Sequence, residues 1–457
     1  MFYVEIVDCL RLRIGCNIHT EMRAKDSVMG KMLGNAQKYD AERVGQTIAM
    51  LLEHAHGHRA TDIHIEPRER FLLVRYRIDG VLRGVHKLPL NATKPLLTQL
   101  KRSAHLNTAV FDFPQEGRYT ATIDGQPYEV RMGTLPVIGG EKVVLRLKPE
   151  AARLLPVEAL GLWGDTLETV RTGLRATRGL ILVAGPKQSG KTTTLYSLLH
   201  IMTTPLISVA SIEDPVEHRL YGVMQTEVHP RKGVTFSEGL QGALHQDANI
   251  IMVSSLHDKQ TIDLAIHAGN SGHVILAGVS ADSAPGAILQ LLSAGGQPFL
   301  LGAALRLVIS QRLVRRLCPE CKLRYVVTAE QQEVLNRAFG LKTAADRREI
   351  HELEIASLNE LGGGRPLNST PTHVTHLWQV NQDGCKVCDR SGYQGQVVLT
   401  EAIAMPDTIR DHLERAPSLS ELQAAVRKQG YISLQVDGLI KALRGQITIE
   451  EVLRLVS

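Results

Sequence analysis

Aromatic residues, net charge and long apolar runs are all scarce in this sequence. Aromatics make up 4% of the 457 residues, and the formal net charge is only +5. Such a mild charge does not by itself favour a nucleic-acid partner. No stretch of about eighteen uninterrupted apolar residues occurs, so we expect no membrane-spanning helix. Residues 1–23 mix charged side chains into their apolar positions and lack a clean signal-peptide core, which favours the cytoplasm.

Cysteine is also sparse, with six residues in the chain. Four of the six form two Cys-x-x-Cys pairs: Cys318, Cys321, Cys385 and Cys388. In a chain without an export signal this pairing favours metal over disulfides, although reduced, metal-free cysteines are an alternative. Four thiolates would close a tetrahedral shell around a structural Zn²⁺. Cys9 and Cys16 have no evident partners, and we predict buried thiols there.

Composition and pattern divide the chain into several parts, as its length suggests. We predict an unassigned segment at 1–40, a small α/β domain at 41–150, a linker at 151–165, an α/β core at 166–311, a tetracysteine subdomain at 312–405 and a helical tail at 406–457. In the subdomain, Gly362-Gly363-Gly364 indicates a flexible excursion. In the tail, Ser418 with Glu421 and Thr448 with Glu451 fit the capping-box pattern at helix starts.

The first domain combines a helical pattern with an alternating strand. Apolar residues recur at helical spacing from Glu42, and Val74, Tyr76 and Ile78 later alternate with Arg75 and Arg77. Alternation places both arginines on one face of the strand, where simple solvation is the alternative to a functional role. Asp79-Gly80 then predicts a tight turn.

The core shows short apolar runs separated by helical stretches, at Leu180–Ala184, Ile207–Ile212, Ile250–Val253 and Val274–Ala277. This succession predicts a mostly parallel sheet covered on both faces. Ligands of such sheets bind at the carboxyl ends of the strands.

A Gly-x-x-x-x-Gly-Lys-Thr pattern at residues 185–192 follows the first of these runs and precedes a helix-compatible segment. This is the phosphate-loop pattern in its strand–loop–helix setting, and a glycine-rich turn matching by chance is the alternative. Gly185 and Gly190 would let backbone N–H groups curl around a polyphosphate. Lys191 would reach the β- and γ-phosphates, and the Thr192 hydroxyl would hold Mg²⁺. We predict an ATP–Mg²⁺ site formed by Gly185, Pro186, Lys187, Gln188, Ser189, Gly190, Lys191, Thr192 and Thr193.

Several ordered motifs resemble one family, the secretion ATPases of type II secretion and type IV pilus assembly, over about residues 42–457. The motifs are Asp62-Ile63-His64-Ile65-Glu66-Pro67, Arg75-Tyr76-Arg77-Ile78-Asp79-Gly80, Pro114-Gln115-Glu116-Gly117-Arg118, the phosphate loop, Ile212-Glu213-Asp214-Pro215-Val216-Glu217, Gly272-His273, Gln311-Arg312-Leu313-Val314 and the four cysteines. The resemblance implies a PAS-like first domain, a RecA-like P-loop core and a hexameric ring with ATP between the domains. It further implies assembly of pilin-like filaments through an inner-membrane platform protein, with membrane association only indirect and no nucleic-acid partner.

The resemblance also assigns roles to single residues. Glu213 and Asp214 match the family's Asp box, which faces Mg²⁺ or the attacking water, and Glu217 is a further candidate. A solvated acidic turn is the alternative for this segment. His273 matches the first histidine of the family's His box. Three arginines are candidates to swing from the first domain onto the γ-phosphate: Arg75, Arg77 and Arg118.

The chain departs from the family at the residues that activate water. Where the family has Gly-Glu-Ile-Arg-Asp, this chain has Ser254-Ser255-Leu256-His257-Asp258, so Ser255 replaces the catalytic glutamate. A neutral hydroxyl is a very poor base near pH 7, and general-base catalysis is typically worth about 10²–10⁴-fold. Ser280 replaces the second histidine of the His box, and Gln241 and His245 replace arginines. His257 would share a face with Ser255 if the strand continued, with a surface histidine as the alternative.

Two functions therefore compete. The first is a working hexameric ATPase that drives pilus or pseudopilus assembly. The second is a pseudo-ATPase that binds nucleotide, hydrolyses it slowly or not at all, and acts as a scaffold in a ring with active relatives. A nucleic-acid translocase is a third possibility, but no nucleic-acid module is recognisable in the first domain.

Overall fold

The computed structural model describes residues 40–149, 154–358, 367–413, 415, 417–428 and 430–456. These residues form two compact units, 40–149 and 154–456. The predictions for Cys9, Cys16 and the Gly362-Gly363-Gly364 excursion lie outside the described residues. Within the described ranges, no helix has both the length and the apolar character needed to cross a membrane.

The first unit is an antiparallel sheet of six strands with two helices. Its elements are α1 (Ala41–Gly57), β1 (Ala60–Pro67), β2 (Leu72–Ile78), β3 (Val81–Leu88), α2 (Thr93–Ser103), β4 (Gln115–Ile123), β5 (Gln126–Val137) and β6 (Gly140–Pro149). The strand order is β3-β2-β1-β6-β5-β4, and all neighbours are antiparallel.

Local sequence explains the start of this unit. The Asp40 side chain caps α1 by accepting a hydrogen bond from the Arg43 N–H at 2.9 Å. Strand β2 alternates between buried and half-buried residues, as predicted. Asp79 and Gly80 both adopt positive φ, which is what the two-residue turn between β2 and β3 requires.

The second unit is built on a sheet of seven strands. Its strands are β7 (Gly179–Ala184), β8 (Val209–Glu213), β9 (Met224–Glu227), β10 (Ile250–Val253), β11 (Val274–Val279), β12 (Leu305–Leu317) and β15 (Tyr393–Ala404), with the small pair β13 (Leu323–Val326) and β14 (His376–Gln379) beside them. The order is β15-β12-β7-β11-β10-β8-β9. Only the β12–β15 pair is antiparallel, so the predicted mostly parallel sheet is confirmed.

Helices cover both faces of this sheet and form the tail. They are α3 (Gly164–Gly173), α4 (Lys191–Met202), α5 (Phe236–His245), α6 (Lys259–Asn270), α7 (Ala284–Ser293), α8 (Pro298–Ala304), α9 (Ala329–Ala338), α10 (Ala344–Ala356), α11 (Asp407–Leu413), α12 (Leu419–Arg427), α13 (Leu434–Leu443) and α14 (Ile449–Val456). Every residue of β7, β8, β10 and β11 is buried, as expected for strands enclosed on both faces.

The predicted divisions of the second unit differ from its packing. Strand β12 runs through the predicted boundary between residues 311 and 312 without a break. The insertion and the tail share one apolar cluster, in which Leu335 and Leu377 pack with Leu439 and Leu443. Trp163, placed in the predicted linker, is buried in that cluster and bonded to Asp437. The insertion therefore shares its apolar core with the tail helices.

The two predicted capping boxes in the tail behave differently. Ser418 and Glu421 form the complete box at the start of α12. At the start of α14, Thr448 accepts a hydrogen bond from the Glu451 N–H at 3.4 Å, but the Glu451 carboxylate binds Arg315 instead of closing the box. A strong cationic partner on β12 thus competes successfully for that side chain.

Candidate nucleotide-binding site

The phosphate-loop pattern lies between β7 and α4, as the sequence predicts. Helix α4 begins at Lys191, and Gly190 precedes it with φ of +88°. A Cβ on Gly185 would lie 2.6 Å from the Gln311 carbonyl oxygen, so only glycine fits there. The Lys191 ammonium donates to the carbonyl oxygens of Gly185 and Pro186 at 2.7 and 2.8 Å. Burial lowers the pKa of Lys191, and an incoming phosphate would offer this ammonium an anionic partner.

Three further strands bring their carboxyl ends to the same sheet edge. The Ser254 N–H donates to the Ile212 carbonyl at 2.9 Å, and the Leu256 N–H donates to the Gly278 carbonyl at 2.8 Å. Ser255 is therefore held between the ends of β8 and β11, and its side chain is half-buried. The Gly185 N–H donates to the Val279 carbonyl at 3.1 Å, which joins the phosphate loop to the same edge. The structure thus brings the phosphate loop, the Asp-box segment and the Ser255 segment together.

Glu213 and Asp214 have contrasting surroundings at the end of β8. The Glu213 carboxylate is fully buried and accepts hydrogen bonds from the Ser211 hydroxyl at 2.6 Å and the Gln225 amide at 3.0 Å. Its other oxygen accepts the Tyr196 hydroxyl, and burial together with this bond raises the pKa of Tyr196. The Asp214 side chain is exposed at the sheet edge. Of these two residues, Asp214 is the one whose carboxylate is accessible to a solvated cation.

Tyr196 is a residue of the site that motif reading missed. Besides donating to Glu213, its hydroxyl oxygen accepts the Glu217 N–H at 3.1 Å and the His218 N–H at 3.3 Å. It therefore connects α4, which starts at the phosphate loop, to the Asp-box segment. The only signal in the sequence is the hydroxyl group of a tyrosine within an otherwise largely apolar helical segment.

His257 would share a face with Ser255 only if the strand continued through both residues. Strand β10 ends at Val253, so alternation does not extend to His257. The His257 ring instead lies edge-on against Phe236, with ring centroids 5.4 Å apart. Asp258 next to it caps α6 through the Thr261 N–H at 2.9 Å. The chain turns into a helix at this point, and the condition for a shared face is not met.

The structure does not place His273 at the phosphate-binding edge. His273 immediately precedes β11, and its Nδ1 lies 2.9 Å from the Ala248 carbonyl oxygen. Because β11 runs parallel to β7, with Val274 opposite Gly179, this is the amino edge of the sheet. The six residues of β11 separate the two edges by about 20 Å. His273 therefore cannot touch a nucleotide at the loop, whereas Ser280 follows β11 on the correct edge.

The three arginine candidates of the first unit lie on one face of its sheet, but they are too far apart to form a single cluster. Residues paired directly across neighbouring strands form a row of five: Arg77, Asp62, Arg146, Arg131 and Arg118. Four strand spacings separate Arg77 from Arg118, or about 19 Å. Arg77 Nε lies 3.3 Å from Asp62, and Arg75 Nη2 lies 2.5 Å from the buried Glu66. Arg118 is the most exposed of the three, with its nearest carboxylate, Glu129, 3.6 Å away.

The four cysteines of the two pairs form a cluster that could hold a metal ion, as their sulfur atoms all lie within 4.8 Å of one another. Cys318 follows β12 directly, and Cys385 lies 3.8 Å from it, sulfur to sulfur. The Cys388 sulfur accepts the N–H groups of Cys385 and Gly392, both at 3.2 Å. Burial alone would raise the pKa of the Cys388 thiol, but these hydrogen bonds outweigh it and lower that pKa to about 7.

The fold and the loop geometry together define a P-loop protein with a RecA-like core. A family model described as "Type II/IV secretion system protein" matches residues 37–454. The chain is 36% identical to the type II secretion system protein E of Dickeya dadantii, over 91% of this chain and 76% of that protein. It is 32% identical to the protein transport protein HofB homolog of Escherichia coli, over 99% of this chain and 91% of that protein. The chain belongs to the family of type II/IV secretion system proteins.

Solved structures agree with this fold. The Legionella pneumophila ATPase DotB matches 92% of this chain and 97% of its own, with a TM-score of 0.61 and 16% identity. The pilus retraction motor PilT, solved with bound ADP, matches 89% of this chain and 96% of its own, with a TM-score of 0.56 and 17% identity. At these identities the likeness concerns the fold alone.

Proposed function

We propose that this chain is a nucleotide-binding subunit of a type II secretion or type IV pilus assembly machine, and that it hydrolyses ATP slowly or not at all. The observation that carries the proposal is a complete phosphate loop beside a serine, Ser255, at the position where the family has its glutamate. Relatives described as a type II secretion protein and as the type IV pilus assembly ATPase PilB of Thermus thermophilus support the system. The PilB relative is 34% identical over 91% of this chain and 43% of that protein.

Binding and cleavage place different demands on the site. The loop amides, Lys191 and a Mg²⁺ held by Thr192 suffice to bind ATP, with Asp214 accessible to the cation or its water. Cleavage also needs an oriented water and stabilisation of the developing charge. Ser255 supplies no carboxylate, and Ser280 supplies no imidazole beside the loop. Glu213 is already surrounded by three protein donors, so it is poorly placed to substitute as a base.

The cysteine cluster fits a structural zinc ion. With a Zn–S bond of about 2.3 Å, a tetrahedron of four sulfurs has edges of about 3.8 Å. Three of the six sulfur separations are 3.7–3.8 Å and match that edge, and all six are at most 4.8 Å. The three short separations are far longer than a disulfide bond. The ion would fasten the end of β12 to the segment that leads into β15.

The proposal includes an assembly and a location. We place the chain in a ring, of six copies or mixed with active relatives, that acts at the inner membrane through a platform protein. The arginine-rich face of the first unit is where we expect γ-phosphate contacts, and Arg118 is the candidate with the freest side chain. Light scattering with and without ATP would test whether a hexamer forms.

Steady-state phosphate release tests the catalytic part of the proposal. We expect wild-type turnover below about 0.1 s⁻¹, an order-of-magnitude threshold well under typical enzyme rates. The Ser255→Glu variant should release phosphate at least about tenfold faster, because a carboxylate returns to the edge between β8 and β11. The Lys191→Ala variant gives the phosphate release due to contaminating ATPases, which is subtracted from the rates of the wild type and of Ser255→Glu. Wild-type turnover above the threshold that disappears in Lys191→Ala would identify a working motor instead.

A further inference from the structure

The phosphate loop is braced by a side chain from the neighbouring strand. Strand β12 pairs with β7 so that Ser310 lies opposite Ala184, which places Gln311 beside the start of the loop. The Gln311 side chain is 1% exposed. Its Nε2 donates to the Ser189 carbonyl at 2.8 Å, and its Oε1 accepts the Thr194 hydroxyl at 2.8 Å. One amide thus ties the last residues of the loop to the first turn of α4.

We propose that Gln311 is a positioning residue that holds the phosphate loop in the shape that receives a polyphosphate. The inference rests on the proposed nucleotide site and names a residue outside the phosphate-loop pattern. The mechanism is the rigidity of the peptide plane. Because C=O and N–H of a trans peptide point in opposite directions, fixing the Ser189 carbonyl also fixes the direction of the Gly190 N–H. That N–H belongs to the residue immediately before α4, where anions bind.

Two further contacts show that β12 shapes the loop at close range. The Gln311 backbone oxygen approaches Gly185 so closely that a Cβ there would lie at 2.6 Å. A Cβ on Gly190 would lie 3.0 Å from Gln311 Nε2 and 3.6 Å from Leu313 Cδ1. Gln311 and Leu313 share one face of the strand by alternation. Gln311 is thus a close neighbour of both glycines of the pattern.

The chain offers a matched pair of variants for testing this role. Gln311→Met keeps most of the side-chain volume and removes both hydrogen bonds. Ser310→Ala alters the preceding residue of the same strand, whose hydroxyl is buried and has no hydrogen-bond partner among the described residues. Affinity for the fluorescent nucleotide mant-ADP with Mg²⁺ and the thermal midpoint without nucleotide are measured for each full-length protein.

We expect Gln311→Met to raise the Kd for mant-ADP by about tenfold or more, the scale of a buried polar group that loses its partner. Ser310→Ala should bind like the wild type. Thr194→Val removes one of the two bonds and should also weaken binding. The effects of Gln311→Met and Thr194→Val should be less than additive in the double variant, because both disrupt one brace.

The readouts separate this role from a purely structural one and from failure of the site itself. A lower thermal midpoint with an unchanged Kd in Gln311→Met would overturn the inference. Wild-type protein that does not bind mant-ADP would instead overturn the proposed nucleotide site, and with it this role. If Gln311→Met does not fold, Thr194→Val decides: weaker binding supports the brace, and wild-type binding contradicts it.

Discussion

The first unit contains a histidine that cannot be charged without loss of stability. His86 on β3 is 6% exposed and packs against His54, with 3.3 Å between its Nε2 and His54 Nδ1. One of these two nitrogens must accept the shared hydrogen, so protonation of both rings breaks the bond. Burial, followed by the nearby His58, lowers the pKa of His86 from 6.5 to about 4. Acid should therefore destabilise this unit.

The size and pH range of the effect follow from linkage. Since the folded-state pKa lies below the unfolded one, the stabilisation is complete above pH 6.5 and is lost as the pH falls toward 4. A shift from 6.5 to about 4 corresponds to about 3 kcal/mol in total. Between pH 7.5 and pH 5.0, we expect the free energy of unfolding of this unit to fall by about 2 kcal/mol.

Hydrogen exchange of the β2 and β3 amides is the appropriate assay. Both tryptophans, Trp163 and Trp378, lie in the second unit, so their fluorescence does not report on the first. Opening free energies are obtained at pH 7.5 and 5.0 with the intrinsic exchange rate of each pH. His86→Phe should abolish most of the difference, whereas His105→Asn, at an exposed histidine of the same unit, should retain it. An equal decline in wild type and His86→Phe would show that His86 is not the group that loses stability in acid.

Three further predictions concern the second unit. Lys441→Met leaves the buried Asp437 carboxylate without its cation and should destabilise the unit by about 3–5 kcal/mol. Urea titrations followed by tryptophan fluorescence measure this loss. Adding Asp437→Asn should recover part of the lost stability, and no recovery would contradict the pairing. Glu401→Ala should lower the free energy of unfolding by about 3 kcal/mol or more in the same assay, because Glu401 accepts the first N–H groups of both α7 and α13. A loss below about 1 kcal/mol would contradict this role of Glu401. Purified protein should contain one zinc per chain by mass spectrometry, and Cys388→Ser should lower both zinc content and the thermal midpoint; full zinc in the variant would place the ion elsewhere.

Local signals predicted the parts of the site that follow their strands directly in sequence. The apolar runs around Leu180 and Ile250 become buried strands, and the loop after the first run carries its glycines where the backbone needs them. The rule that ligands bind at the carboxyl ends of parallel strands could also have placed His273 correctly. His273 precedes its strand, and residues that precede parallel strands lie at the edge opposite the ligand. Similarity to a motif favoured a catalytic role for His273, whereas the direction of β11 places this residue at the edge opposite the phosphate loop.

Other features depend on contacts between distant residues. Gln311 braces a loop more than a hundred positions earlier in the chain, and no local period signals such a hydrogen bond. The shared core of the insertion and the tail likewise needs Leu377 to meet Leu443. The row of arginines from Arg77 to Arg118 requires the strand order of the whole sheet. Strand pairing places Gln311 and the arginines, and packing of helix α13 brings Leu443 to Leu377. Sequence patterns do not specify either kind of contact across long separations.

We propose that this chain binds ATP at the Lys191 loop and does not cleave it at a useful rate. The most direct measurement loads the protein with γ-labelled ATP and Mg²⁺, and follows bound nucleotide and released phosphate in the same sample. We predict that about one ATP per chain is retained and stays intact over many minutes, while Lys191→Ala retains none. Cleavage of the bound ATP within seconds would show an active ATPase, and no retention by the wild type would show that the loop does not bind ATP.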